Sequence, residues 1–338
     1  MAKEIVMPVS LCNERGELAN DSVGWSRHPL VRCNVKGNLL RKKKWNYWCV
    51  TGPELLFSAT ISHLDYAAVM FVYVLDLKTK QFAEETWLIP LGVGCHMPED
   101  VASTVSVSGK KASLKFEETG DGTRITVSWK DFGRAGDRFE ADVRVMRPEG
   151  YESLNVVVPW SRDRFQFTSK QPALPASGNV AWGNRAYTFS VSDSYGCLDF
   201  GRGIWPYQST WNWAAASGSS EGRLIGLNFG GQWTDGTGQN ENGVLVNGRL
   251  HKQHENIIWT YDQADYMRPW TLRTEQSDRV ALTFTPLFER VAATRAIIIQ
   301  SEVHQMIGHF DGHVELDDGE RAAINGLLGW AEDHSARW

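Results

Sequence analysis

Hydrophobic and polar residues alternate with a period of two along much of this chain. Ile125, Val127 and Trp129 are separated by polar residues, and the segment 139–145 repeats the pattern. A period of two places successive side chains on opposite faces of a strand. Both segments are therefore predicted to be half-buried antiparallel strands.

Short turns that contain glycine separate the predicted strands. These pairs favour tight hairpins because glycine, asparagine and aspartate tolerate a positive φ. Continuous apolar runs at 67–77 and 292–299 predict two fully buried strands, and no segment has the pattern of an amphipathic helix of three or more turns. The predicted fold class is all-β, with antiparallel strands that close into barrels or sandwiches. The turn pairs are Ser108-Gly109, Asp121-Gly122, Asp235-Gly236, Asn247-Gly248 and Asp318-Gly319.

The length of 338 residues exceeds the usual size of one hydrophobic core, so two domains are expected. Two prolines, a glycine and small polar residues interrupt the alternation at 169–179. We predict two β domains in tandem, covering residues 1–170 and 178–338. The second domain is predicted to carry most of the candidate site.

The overall charge excludes one class of partner. A net charge of −5 and a pI near 6.0 provide no field for nucleic acid, and the basic run at 41–44 is interpreted as a solvated strand end. The first residues lack the pattern of a signal peptide, and no stretch approaches 18 apolar residues, so we predict a cytoplasmic protein without a transmembrane segment. The five cysteines are widely spaced and odd in number, which predicts buried thiols.

Tryptophan and hydrogen-bonding polar residues are concentrated between residues 198 and 262. A buried indole needs a partner for its N–H, so packing alone rarely favours so many tryptophans in one segment. A mostly apolar pocket with a few polar groups is typical of a small-molecule site. The tryptophans are Trp205, Trp211, Trp213, Trp233 and Trp259, and the polar residues of interest are Asp199, Arg202, Asn212, Glu241 and Asn242.

Two carboxylates are the candidates for proton transfer. Asp199 lies three residues before Arg202 in a glycine-rich strand end, so Arg202 could tune it; the alternative is a structural ion pair. Glu241 lies between two asparagines, where it is either poised as an acid or base or part of a capped turn. We assign Asp199, Glu241 and Arg202 as the catalytic candidates.

The remaining candidates are assigned to ligand binding. Strand alternation places Trp211 and Trp213 on one face and Asn212 on the other, and we favour Asn212 as the residue that faces the ligand. Trp330, Glu332 and His334 share a face of the last predicted strand in the same way. The ligand-binding candidates are Trp205, Tyr207, Asn212, Trp213, Asn242, His251 and Glu332.

Metal and nucleotide sites are not indicated. His251 and His254 would point to opposite faces of a strand, which does not suit zinc. The segment 235–242 lacks the spacing of a calcium loop, and no phosphate-binding glycine loop or serine nucleophile motif is present. We therefore predict no metal and no cofactor.

Several motifs follow one another along the chain: Gly24-Trp25-Ser26-Arg27-His28-Pro29-Leu30, Leu198-Asp199-Phe200-Gly201-Arg202-Gly203, Trp205-Pro206-Tyr207, Trp211-Asn212-Trp213, Asn240-Glu241-Asn242-Gly243 and Gly329-Trp330-Ala331-Glu332-Asp333-His334. Their order resembles a bacterial lipocalin-like family of unknown function. The resemblance spans nearly the whole chain, and that family is distantly similar to carotenoid 1,2-hydratases and AttH-type proteins, which pair two lipocalin-like barrels. It implies two such barrels in tandem and a ligand cavity. The hydratases use His-x-Trp and Tyr-x-Asp elements, whose nearest counterparts here are Trp211-x-Trp213 and Thr260-Tyr261-Asp262.

Three classes of function are consistent with these features. The first is an enzyme of hydratase or lyase type that uses carboxylate acid–base chemistry on an apolar or amphipathic ligand held in a Trp-rich cavity. The second is a glycoside hydrolase or another carbohydrate-active enzyme, since tryptophans and paired carboxylates also suit sugars. The third is a lipocalin-like carrier of a hydrophobic ligand. The expected partner in each case is a small molecule.

Overall fold

Strands form nearly all of the regular structure, as the alternation predicts. The computed structural model describes residues 2–295 and 300–337. One short 3-10 helix, Asn20–Ser22, lies between the first two strands. The strands in the first part of the chain are β1 (Val9–Ser10), β2 (Gly24–Ser26), β3 (Val31–Arg32), β4 (Lys42–Thr51), β5 (Leu55–His63), β6 (Ala67–Asp76), β7 (Phe82–Pro90), β8 (Val105–Ser108), β9 (Ala112–Glu118), β10 (Gly122–Phe132), β11 (Asp137–Met146), β12 (Leu154–Ser161), β13 (Arg164–Trp182), β14 (Arg185–Phe189) and β15 (Tyr195–Ile204). The later strands are β16 (Gln208–Ser220), β17 (Arg223–Gly231), β18 (Gly243–Val246), β19 (Arg249–Lys252), β20 (Ile257–Thr260), β21 (Trp270–Thr274), β22 (Val280–Arg295), β23 (Gln300–Glu315) and β24 (Arg321–Arg337).

The predicted alternation is confirmed in β10 and β11. Ile125 pairs with Val143 and Trp129 pairs with Phe139, and these apolar side chains are buried on one face while the intervening residues of β11 are exposed. The hairpin between β18 and β19 turns at Asn247-Gly248, where φ is 50° and 81°. Two consecutive positive φ angles are the signature of a primed turn, which explains why this pair of residues is found there.

The strands form two large curled sheets. The first has 13 strands, and its main path is β7-β6-β5-β4-β15-β13-β11-β10-β9-β8, with β12 and β14 pairing with β13 and β2 pairing with β12. The second has nine strands in the order β19-β18-β17-β16-β24-β23-β22-β21-β20. Each sheet encloses its own apolar core, around Trp48 and Phe139 in the first sheet and around Trp270 and Phe310 in the second.

A third apolar cluster lies between the sheets, and we call it the inter-sheet interface. Tyr47 and Tyr73 contribute to it from the first sheet, and Trp213 and Trp330 contribute from the second. β6 is buried on both faces because one side contacts the first core and the other contacts this interface. The continuous apolar run at 67–77 is the sequence signature of that position.

The interruption at 169–179 lies inside β13. Pro172 falls at a register shift between Gln171 and Leu174, where Ala173 has a φ of 59°, and Pro175 follows directly after the shift. Proline lacks a backbone donor and is tolerated at such bulges. The turn-forming residues therefore mark a bulge, and the division at 170–178 cuts a continuous strand. The chain passes from the first sheet to the second between β15 and β16.

Further predictions concern the cysteines, the basic run at 41–44 and the apolar run at 292–299. All five cysteines are free and buried, as predicted. The basic run at 41–44 is not a solvated strand end, because Lys43 is only 2% exposed and its neighbours are partly buried. Of the apolar run at 292–299, residues 296–299 lie outside the described residues. Within the described ranges, no helix has the length and apolar character needed to span a bilayer.

Candidate functional site

A buried lysine and two carboxylates form the centre of the candidate site. Lys170 on β13 stands directly opposite Asp199 on β15 in the strand register. Its Nζ lies 3.0 Å from Asp199 Oδ1 and 3.1 Å from Glu241 Oε2. The ammonium also lies 4.3 Å from the centroid of the Trp213 ring. One cation thus joins a carboxylate of the first sheet to a carboxylate carried by the second. We call Lys170, Asp199 and Glu241 the charge triad.

The loop before β18 holds Glu241 in place. Asn228 Nδ2 donates to the Glu241 backbone oxygen at 2.6 Å, and the Trp233 indole donates to Oε1 at 2.9 Å. Gly230 lies so close beneath the carboxyl that a Cβ there would collide with Oε1. Asn242 fixes the loop backbone, because its side-chain oxygen accepts from the Gly230 amide at 2.9 Å.

A third carboxyl, Glu332 on β24, lies in the inter-sheet interface. Trp211 Nε1 donates to Oε1 at 3.0 Å, and Gln305 Nε2 donates to Oε2 at 3.1 Å. Gln305 in turn accepts from the Tyr73 hydroxyl at 2.8 Å, and Tyr73 shares a hydrogen bond of 2.7 Å with Tyr47. The network therefore reaches from β24 across the interface into the first sheet.

Burial and charge give these groups different titration behaviour. Burial raises the pKa of Glu332 to about 7, against the opposing effects of the Trp211 hydrogen bond and the charges of Arg290 and Lys170. Burial also raises the pKa of Glu241, and the Lys170 ammonium opposes that rise. Burial by itself would lower the pKa of Lys170, but the charges of Asp199 and Glu241 outweigh it and leave the pKa above its usual value. The triad therefore holds a stable cation, while Glu332 exchanges its proton near neutral pH.

Five indoles lie together beside these groups, and we call them the tryptophan cluster. Trp205 stacks on Trp233 with ring centroids 5.3 Å apart, and it lies 5.6 Å from Trp211. Trp233 and Trp211 are the same residues that donate to Glu241 and Glu332. Part of the cluster is accessible to solvent, so it connects the surface with the buried carboxyls. Its members are Trp45, Trp160, Trp205, Trp211 and Trp233.

The structure brings together only part of the predicted site. Asp199, Glu241, Trp213, Trp205 and Glu332 lie at the charge triad or within its neighbouring network. As predicted, the last strand places Glu332 on the same face as Trp330 in the interface and His334 against Trp211.

Arg202 does not tune Asp199. It lies on the opposite face of β15, inside the first core, where it donates to the Trp45 carbonyl at 2.8 Å and to Asn46 Oδ1 at 2.8 Å. Residues three apart in a strand point to opposite sides, so the spacing in the sequence could not produce a pair. Burial lowers the pKa of Arg202 to about 9.

Four further candidates lie outside the charge triad. Asn212 faces the second core and donates to the Tyr261 hydroxyl at 3.1 Å, on the opposite face from Trp211 and Trp213. Asn242 holds the loop backbone rather than facing the carboxyls. His251 accepts from the Asp317 amide at 3.2 Å near the turn between β23 and β24. Tyr207 is exposed and interacts with Arg337.

Lys170 is the central residue that the sequence did not reveal. Its face of β13 is polar, and the prolines that follow gave the segment the appearance of a linker. One signal was present: Phe165 and Phe167 alternate with polar residues as far as Thr168, which is the pattern of a strand, although the alternation ends two residues before Lys170. Gln305 and Tyr73 carried no comparable signal, because each lies in an ordinary strand.

The described residues form no metal-binding group, and a large groove lies away from the charge triad. Within 2–295 and 300–337, no three His, Cys, Asp or Glu side chains are grouped closely enough to hold a metal ion. A groove of about 680 Å³ lies between the sheets away from the charge triad, and its lining includes Glu54, Lys80, His309 and Leu327.

The fold and the site define an all-β protein of two curled sheets with buried ionisable groups between them. The chain belongs to the family described as a domain of unknown function (DUF2804), whose model matches residues 2–338. No curated protein sequence matches the chain.

The chain is similar to several solved structures. An AttH-like protein from Nitrosomonas europaea is 13% identical and has a TM-score of 0.53, with 88% of this chain and 93% of that chain covered. At this identity, the likeness to the AttH-like protein shows a shared fold and no more. Kievitone hydratase from Nectria haematococca is 9% identical with a TM-score of 0.46 and 90% of each chain covered. CghA with Sch210972 is 8% identical with a TM-score of 0.46 and 88% of each chain covered.

Proposed function

We propose that this protein is a small-molecule enzyme of hydratase or lyase type, acting on an apolar or amphipathic substrate. The observation that carries the proposal is Glu332, a carboxyl buried beside the tryptophan cluster with a pKa of about 7. A general acid works best when its pKa lies near the working pH, because it is then protonated yet releases the proton readily.

Glu332 is the proposed proton donor. Transfer of its proton to a carbon–carbon double bond leaves a cationic carbon on the substrate and a carboxylate on the enzyme. Water then adds to that carbon and releases a proton, which returns to Glu332. The reverse sequence removes water. The tryptophan cluster provides apolar contact for the substrate, and indole faces stabilise a developing positive charge.

The charge triad has a supporting role in this proposal. Asp199 and Glu241 both contact Lys170, so two carboxyl groups share one ammonium close to the reacting centre. A fixed negative charge in a site of low dielectric stabilises a cationic intermediate. Asp199 and Glu241 therefore act as electrostatic groups here, and Glu332 takes the acid role that the sequence assigned to them.

The two alternatives fit this geometry less closely. A glycosidase needs two carboxyl groups that face each other across the scissile bond, whereas Asp199 and Glu241 both contact one ammonium. A carrier of a hydrophobic ligand needs no titratable group in its wall. A single experiment distinguishes the three functions, because a hydratase adds water to one molecule, a glycosidase splits its substrate into two products, and a carrier leaves its ligand unchanged.

The test follows the incorporation of solvent into a substrate. The protein is incubated in D₂O with a lipid extract from the producing cells, and the products are read by mass spectrometry. A hydratase adds one molecule of D₂O to a specific compound. Glu332→Gln keeps the shape of the side chain but removes its proton, so we expect the product to form at least about a hundredfold more slowly.

A second variant and an unchanged fold make the result specific. Asp199→Asn is expected to slow the reaction while leaving Glu332 in place, and both variants are checked for retained secondary structure by circular dichroism. Compounds that bind to the wild-type protein without gaining D₂O, and bind both variants equally, would establish a carrier instead.

A further inference from the structure

Two loop tips of the first sheet expose large apolar residues. The first tip precedes β4 and carries Leu39 and Leu40; the second follows β7 and carries Leu91 and Val93. Their exposed fractions are 80%, 49%, 70% and 73%. Such residues are costly to leave in water when they are grouped, and groups of them on a protein surface commonly mark an interaction site.

The two tips lie on the same end of the sheet. Lys42 Nζ donates to the Gly37 carbonyl at 2.9 Å in the first tip, and it also lies 3.1 Å from Asp65 Oδ2. Asp65 belongs to the turn between β5 and β6, and the amide of Leu91 donates to Tyr66 of the same turn at 2.9 Å. Lys42 therefore links the first tip to the turn on which the second tip rests.

Basic residues surround these apolar side chains. The segments 36–44, 63–67 and 88–94 contain five lysines and arginines and a single acidic residue, Asp65. This local excess contrasts with the net charge of −5 for the whole chain. Exposed leucines within a basic surround are typical of surfaces that bind anionic membranes. The basic residues that reach the surface are Lys36, Arg41, Lys42 and Lys44, whereas Lys43 is buried.

We propose that the two loop tips dock onto an anionic lipid bilayer. Leu39, Leu40, Leu91 and Val93 enter the head-group region, and the neighbouring lysine and arginine side chains contact lipid phosphates. We call this set of residues the docking surface. The inference stands on exposure and charge alone, so it does not depend on the proposed enzymatic function.

The docking surface is continuous with the tryptophan cluster. Arg41 Nη2 donates to the backbone oxygen of Trp205 at 3.1 Å. Arg41 also contacts Tyr207. The centroid of the Tyr207 ring lies 5.9 Å from Arg41 Cζ and 5.2 Å from Arg337 Cζ. A protein docked in this orientation presents the cluster to the membrane, from which an apolar molecule could reach it without crossing water.

Vesicle sedimentation with the full-length protein tests the proposal. The vesicles are phosphatidylcholine alone, or phosphatidylcholine with phosphatidylglycerol. We expect binding to the phosphatidylglycerol vesicles that weakens with added salt, and little binding to phosphatidylcholine alone. The double variant Leu39→Asp/Leu91→Asp should bind at least about tenfold more weakly, because it removes apolar insertion and adds negative charge.

A matched control distinguishes binding through the docking surface from nonspecific binding through any exposed apolar residue. Val191→Asp/Ile258→Asp changes two other exposed apolar residues, and it should bind like the wild-type protein. The proposal is overturned if the protein does not bind the vesicles that contain phosphatidylglycerol, or if the two double variants bind them equally. No substrate is present in this assay, so failure of the docking surface leaves the enzymatic proposal untouched.

Discussion

Glu332 is a carboxyl that folding transfers from water into a site with neutral hydrogen-bond donors. Its pKa rises to about 7, whereas an unfolded chain gives a glutamate pKa near 4.3. The folded state therefore holds a proton that the unfolded state releases between those two values. Stability from this group is complete below about pH 4 and is lost as the pH rises through 7.

Glu332→Gln should remove this pH dependence. The wild-type protein is expected to lose about 3 kcal/mol of unfolding free energy relative to the variant between pH 4.5 and 8. Urea unfolding of both proteins across this range measures the difference, in which contributions from other groups cancel. The same change at the exposed Glu149 is the control. Parallel pH curves for the wild-type protein and Glu332→Gln would show that Glu332 titrates normally.

The stability of the fold is expected to depend on Lys170 as long as Asp199 and Glu241 are both present. Lys170→Met leaves Asp199 and Glu241 buried without a cation, which should cost about 3–5 kcal/mol in urea unfolding. Adding Asp199→Asn and Glu241→Gln to that variant removes the unpaired charges. The triple variant should therefore recover most of the loss. A triple variant that is no more stable than Lys170→Met would mean that packing, not charge, is the role of Lys170.

At the scale of elements, local pattern determined what could be predicted. The alternation in β10 and β11 and the turn at Asn247-Gly248 follow from properties of a few adjacent residues, so they were predictable. The partner of Asp199 was not, because the β13–β15 register that opposes it to Lys170 depends on a pairing between strands separated by β14. The segment 169–179, which holds the bulge in β13, contains proline, glycine and small polar residues, which are also the residue types of a linker. Only the pairing of β13 with its neighbouring strands distinguishes a bulge from a linker.

The last strand offers a test at this scale. β24 is an interior strand between β16 and β23, and it carries both Trp330 and Glu332. Removing residues 329–338 should leave both neighbours unpaired over that length and expose apolar surface, so we expect an insoluble protein or one with a strongly lowered melting temperature. Removal of residues 337–338 alone is the control. Equal melting temperatures for both truncations would show that the strand end is dispensable.

At the scale of the whole molecule, the two sheets share a large apolar interface. Arg290 on β22 reinforces it through two contacts with Glu84 on β7, at 2.5 and 3.0 Å. Its guanidinium is buried and lies 4.3 Å from the Tyr73 ring centroid. Neither sheet covers this surface alone, so the sheets are expected to depend on each other for solubility.

Co-expression of fragments tests where the chain divides. Fragments 1–206 and 207–338 keep each large sheet intact, and they should copurify when only one carries an affinity tag. Fragments 1–174 and 175–338 divide β13, so we expect little soluble complex from them. Equal recovery of both pairs would show that the division predicted at 170–178 is as good a boundary as the change of sheet.

The charge triad also constrains how this family can change over generations. A substitution of Lys170 alone leaves two buried carboxyl groups without the ammonium that they share, while loss of either carboxyl group alone removes one of the two contacts that hold the ammonium. Each single step is therefore selected against, whereas combined changes replace the charged groups together. Positions 170, 199 and 241 should accordingly vary together among relatives, despite lying on two sheets and 71 residues apart in the chain.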